Sequence, residues 1–136
     1  MILTEYNPQQ IIIPIYGQIS AGKPLDATPV LGWRKVRVPK NYRPGEHLFV
    51  LQVLGDSLRD DAIVSGDWAI CLATQTLQNG KLAAVLVNGG MTMKYVFLDP
   101  DGTVWLEGAH PNHPAKAYRP EDVEVQAQVI RIERDL

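Results

Sequence analysis

Apolar runs in this chain are short and rich in Val, Ile, Leu and Thr. Each stops at a cluster of Gly, Pro, Asn or Asp. Almost no segment sustains the 3.6-residue repeat of an amphipathic helix, so short strands joined by tight turns are what the sequence permits. The expected strands are Ile11 to Tyr16, Trp33 to Pro39, His47 to Leu54, Trp68 to Leu72, Lys81 to Val87, Met91 to Leu98, Thr103 to Glu107 and Val123 to Arg134. Pro14 inside the first run marks an edge strand or an extended segment. Asn88-Gly89-Gly90 marks a hairpin, because these residues accept positive φ. Leu25 to Leu31 and Gly108 to Ala117 read as loops, and Tyr118 to Asp122 has room for one helical turn. The fold class is mostly β, a compact, twisted antiparallel or barrel-like assembly of short strands with little helix.

A length of 136 residues fits one domain with a single core. Residues 1–10 are polar and read as an N-terminal arm or linker, and residues 11–136 as the domain. The net charge of -2 leaves no electrostatic footprint for nucleic acid, so direct DNA binding is not expected. No run of 18 apolar residues is present, so no membrane span is expected, and the first residues lack a signal-peptide layout. The single cysteine, Cys71, lies in an apolar strand and reads as a core residue in a reducing compartment. The expected location is the cytoplasm.

Two residues carry candidate chemistry. Ser57 follows the strand ending near Leu54, within Gly55-Asp56-Ser57. A hydroxyl on such a turn is either a nucleophile or an ordinary backbone cap. Lys94 lies within Met91 to Leu98, on the strand face shared by Thr92 and Val96. On a half-exposed strand it faces solvent. If buried, it loses its charge near neutral pH and becomes a base. A neutral amine beside a serine hydroxyl forms a dyad that needs no histidine.

Other features are assigned bland roles. His110 and His113 have a His-x-x-His spacing but no clear third ligand nearby, so a surface loop is the reading, and no metal or cofactor is expected. His47 has no partner for a Ser-His-Asp arrangement. Asp60, Asp61 and Asp67 read as turn residues. Arg34, Lys35 and Arg37 read as a solvated strand face, and Trp33, Trp68 and Trp105 as core or rim.

Leu54-Gly55-Asp56-Ser57-Leu58, Asp61, Ser65-Gly66-Asp67 and then Met91-Thr92-Met93-Lys94 resemble the LexA/UmuD family of self-cleaving Ser-Lys proteins. That family pairs a Gly-x-Ser-Met turn with a Thr-Val-Lys strand about 37 residues later, and Lys94 follows Ser57 by 37 positions. Ile13 to Pro24 resembles the family's cleavage segment with its Ala-Gly bond. Trp105-Leu106-Glu107 and Val129-Ile130-Arg131 resemble the closing strands. Leu58 in place of Met, Met93 in place of Val, and the Ala109 to Pro114 loop depart from the pattern. The Leu58 exchange nearly conserves volume and is expected to be tolerated.

The resemblance implies an autocatalytic serine endopeptidase of the SOS DNA-damage response that cuts its own Ala21-Gly22 bond within the segment 11–24. Ser57 would be the nucleophile, Lys94 the general base, and the backbone N–H of Asp56 an oxyanion donor together with that of Ser57. It further implies stimulation by a RecA filament, a homodimer through the C-terminal strand Val125 to Ile132, and, for a UmuD-like protein, an error-prone DNA polymerase as partner. No helix-turn-helix precedes the segment, so a UmuD-like protein and the C-terminal half of a LexA-type transcriptional repressor both stay open. A non-catalytic dimerisation module on the same fold is the main alternative. A signal peptidase and a small nucleic-acid-binding barrel fit less well.

Overall fold

A computed structural model describes residues 9–17, 25–76 and 78–136. The expected cleavage pair Ala21-Gly22 and most of the N-terminal arm lie outside the described residues. Among those described, the strands are β1 (Gln10–Tyr16), β2 (Val30–Arg37), β3 (Leu48–Gln52), β4 (Trp68–Ala73), β5 (Lys81–Val87), β6 (Gly90–Leu98), β7 (Val104–Glu107), β8 (Lys116–Tyr118) and β9 (Val123–Glu133). Single 3₁₀ turns cover Leu25–Ala27, Arg59–Asp61 and Pro120–Asp122. No helix among the described residues is long and apolar enough to cross a membrane.

The nine strands form one sheet in the order β2-β1-β3-β4-β9-β5-β6-β7-β8. The mostly β expectation holds, and every pairing is antiparallel except that of β1 with β3. β1 is not an edge strand, because β2 covers it along its length. Its other side meets β3 at the single pair Ile15↔Val50, which leaves room for a proline without an N–H. The segment 108–117 is not all loop, since Lys116–Tyr118 pairs with β7. The hairpin at Asn88-Gly89 forms as expected, with φ of 53° and 78° at the two turn residues.

β3 and β5 are apolar on both faces, and the packing uses both. Phe49 and Leu51 join Leu82, Ala84, Leu86, Met93 and Leu58 in one cluster. Leu48 and Val50 turn the other way, to Ile13, Val36 and Ile70. Ala83 and Val85 meet Val96, Val104, Leu106 and Val125 in a third. Continuous apolar runs are what doubly covered strands require.

β9 is the middle strand of the sheet. It pairs with β4 through Ala127 to Glu133 and with β5 through Val123 to Gln128. The register shifts once against each neighbour. Such bulges reverse the side-chain alternation. Val125 therefore serves one cluster while Ala127 and Val129 serve another. The stretch Val125 to Ile132, expected to pair with a second subunit, is already paired with β5 as far as Gln128 and with β4 from Ala127 on, and only the part from Val129 onward lacks a β5 partner.

Candidate functional site

The turn that carries Ser57 is built from both ends. Val53 N–H donates to Asp67 O, and Gly66 N–H donates to Val53 O, each at 2.8 Å. These bonds close the loop between β3 and β4 at its neck. Gly55 takes φ 86°, a conformation costly for other residues, and so reverses the chain just before the serine. Leu58, directly after the serine, is buried in the cluster that contains Met93. One 3₁₀ turn follows, with Asp61 N–H donating to Leu58 O at 3.1 Å.

Ser57 and Leu58 line a cleft with Gln52, Val53, Leu54, Met91, Thr92 and Met93. A neighbouring cleft is lined by Thr92, Lys94, Leu106, His113 and Lys116, among others. Thr92 belongs to both, and its Oγ1 accepts a hydrogen bond from Lys94 Nζ at 2.9 Å. Ser57 and Lys94 thus line two clefts that share Thr92. Lys94 is half-buried rather than solvent-facing. Burial, and after it the like charge of Lys116, hold its pKa below the ordinary lysine value. An amine in that setting is neutral in a larger fraction near neutral pH, and only the neutral form can act as a general base.

The loop after β7 leans on the serine turn. Ala109 N–H donates to Ser57 O at 2.6 Å, and Asp60 N–H donates back to Ala109 O at 2.7 Å. Gly108 makes this approach feasible: a Cβ there would lie 2.5 Å from Ser57 O and 2.7 Å from His113 Cβ. Asp56 Oδ1 meets His113 Nε2 at 3.2 Å, and Asp56 Oδ2 meets His110 Nε2 at 3.4 Å. His113 first, and His110 after it, hold the Asp56 carboxyl below the usual carboxylate range.

Sequence reasoning found no third group for the two histidines. The fold supplies it in Asp56, more than fifty positions earlier, and no local signal marked that contact. His47 takes a structural role, with its Nε2 2.7 Å from Tyr16 Oη. Asp67 does cap its turn, accepting Val64 N–H at 3.0 Å. Arg34 is not simply solvated. It pairs with Glu133 at 3.0 Å and Asp135 at 2.9 Å, and stacks over Trp68.

A single twisted β sheet with a serine turn docked on its apolar face is the architecture of LexA C-terminal-type domains. The Peptidase S24-like family model matches residues 14–130, and the chain belongs to that family, as its resemblance to LexA and UmuD implied. The chain is 34% identical over 124 residues to the LexA repressor of Erythrobacter litoralis, covering 90% of this chain and 52% of that protein. It is 30% identical over 133 residues to the LexA repressor of Corynebacterium glutamicum, covering 97% and 55%. With the LexA repressor of Acidiphilium cryptum it shares 32% over 126 residues, covering 91% and 53%. The chain spans about half the length of the curated relatives it matches.

Proposed function

We propose that this chain is a self-cleaving serine endopeptidase of the SOS response. Lys94, neutral, takes the proton from Ser57 Oγ, and the oxygen attacks the carbonyl carbon of Ala21. Backbone N–H groups of the turn, those of Asp56 and Ser57, receive the charge that develops on the carbonyl oxygen. The amine of Gly22 leaves with a proton, and water releases the acyl group from Ser57. The observation that carries this reading is the half-buried Lys94 amine, hydrogen-bonded to the threonine that also lines the Ser57 cleft.

Because the scissile bond is on the same chain, no translational entropy is lost in bringing it to the serine. Restraint then falls to the cleavage segment, which must leave the serine most of the time. A RecA filament favours the cleavable arrangement in this reading. The homodimer forms through the open side of β9 from Val129 onward. Cleavage detaches either a DNA-binding half, as in a LexA-type repressor, or a short arm that controls an error-prone polymerase, as in a UmuD-like protein. The LexA repressor relatives support the repressor form.

The test is intact mass across neutral to alkaline pH, with and without RecA filaments on single-stranded DNA, for the wild type, Ser57→Ala and Lys94→Ala. A break after Ala21 that quickens with pH and is absent in both variants is the expected result. A wild-type chain that stays whole under every condition points instead to a non-catalytic dimerisation module.

A further inference from the structure

We infer that Asp56, His110 and His113 are positioning residues that fix where the Ser57 hydroxyl stands. The inference rests on Ser57 being the nucleophile. It goes beyond that reading by assigning a task to side chains that take no part in the Ser-Lys chemistry.

Ser57 sits between two anchors of opposite kind. On its C-terminal side Leu58 is sunk in the apolar core. On its N-terminal side Asp56 reaches outward, and its two carboxylate oxygens face two different imidazoles, at 3.2 and 3.4 Å. With Gly55 free to rotate just before it, the turn would swing about the Leu58 plug if the outer anchor were missing. The backbone bond from Ala109 N–H to Ser57 O fixes the distance between loop and turn. The Asp56 contacts fix the rotation.

The histidine side is itself braced. His113 N–H donates to His110 O at 2.9 Å, and Gly108 N–H donates to His113 O at 3.1 Å. The His110 ring is buried, its side chain 6% exposed. The rings meet edge to face, with centroids 5.5 Å apart. This loop is therefore already formed where the carboxylate arrives, as a positioning device must be.

The same three side chains have ligand atoms within 4.8 Å of one another, which also suits a divalent metal. The tautomer of His110 argues for hydrogen bonding. Asn112 N–H donates to His110 Nδ1 at 2.9 Å. The neutral ring then carries its proton on Nε2, the nitrogen that faces Asp56. A metal at that nitrogen would need the proton moved to Nδ1, directly into the Asn112 N–H. The arrangement donates to a carboxylate as it stands.

Self-cleavage followed by intact mass tests this, using the wild type, Asp56→Ala, Asp56→Asn and His113→Ala. Melting temperature and the pH midpoint of the rate are measured for each. Asp56→Ala and His113→Ala are expected to slow cleavage about 10- to 100-fold, the scale of a displaced reacting group. In Asp56→Ala the alkaline midpoint stays put, since Asp56 does not line the Lys94 cleft, whereas His113 does. Asp56→Asn keeps an acceptor and is expected to recover much of what Asp56→Ala loses. That rescue would not follow from a general loss of stability. Wild-type rates in Asp56→Ala and His113→Ala overturn the clamp and leave the Ser57 reading intact. Titration with zinc alone is the second arm: tight binding by the wild type that is lost in Asp56→Ala overturns the clamp in favour of a metal site. A wild-type chain that never cleaves removes the Ser57 reading itself, and the clamp's role with it, whatever the variants do.

Discussion

The Asp67 carboxylate, 1% exposed, receives both Nε and Nη2 of Arg134, at 2.7 and 2.8 Å. This pair ties the neck of the serine loop to the end of the central strand. Arg134 also donates to Ala62 O at 3.0 Å, so one side chain closes the loop at two points.

The pair sets an acid limit on stability. Arg134, and then the Val64 N–H, hold the Asp67 carboxyl below its ordinary pKa. A carboxyl depressed in the folded state stabilises above its unfolded value, about 3.9, and that stabilisation is lost as pH falls through the folded value. Arg134→Met brings the carboxyl back up, so its melting temperature should be lower at neutral pH, and the gap to the wild type should close as pH falls below about 4, because the variant has less carboxylate stabilisation to lose. Thermal melts of both proteins from about pH 7 down to pH 2 check this. Superimposable profiles would refute it.

Lys116 should shape the pH dependence of cleavage. Its charge adds to burial in lowering the Lys94 pKa. In Lys116→Met the like charge is gone, the Lys94 pKa rises, and less of the amine is neutral at a given pH. The rate curve should move to higher pH, with slower cleavage below the midpoint. A curve that moves to lower pH, or not at all, contradicts the assignment of Lys94 as base.

Gly108→Ala should damage both stability and cleavage. Its Cβ would fall 2.5 Å from Ser57 O, which is backbone and has no rotamer to move into. A cost of about 1–3 kcal/mol is the usual scale for such overpacking. Denaturant melts give the stability, and intact mass gives the rate. A variant as stable as the wild type would mean the loop yields freely.

Leu58 separates volume from identity. Leu58→Met should cost less than about 1.5 kcal/mol and keep the cleavage rate, because the exchange nearly conserves volume. Leu58→Ala should cost about 2–5 kcal/mol through the cavity left behind the serine. Chemical denaturation of the two variants, side by side with the wild type, decides the matter.

Cys71 should be inert in the native protein. It is fully buried, and burial pushes its thiol pKa well above the ordinary range. A thiol-reactive maleimide or disulfide reagent should label it only as fast as the protein unfolds. Rapid labelling under native conditions would show that the β4 ladder opens locally.

Much of the fold was legible because turn chemistry is local. Asn88-Gly89 and the two-face apolar run at Leu82 to Leu86 announce their structure within a few residues. β8 was missed because Lys116-Ala117-Tyr118 is three residues long, exposed at its first two positions, and held by pairing with β7. The inner places of β1, read as an edge or extended segment, and of β9 were not legible because strand order is set by contacts distant in sequence. In the site, Ser57 and Lys94 stood out by residue type, spacing and resemblance. The contact of Asp56 with His110 and His113 did not, since only the folded sheet brings the two loops together.

The place of β9 bears on how the protein is made. The ribbon β1–β4 holds the Ser57 turn, the ribbon β5–β8 holds Lys94, and β9 is the strand that pairs with both. A ribosome delivers β9 last of the nine. Until it arrives, the two ribbons meet only through side-chain packing and loop contacts, and strand pairings of such long sequence separation come late in folding. On the proposed reading, with Ser57 as nucleophile and Lys94 as base, the order of translation thus delays their full alignment until β9 has been delivered.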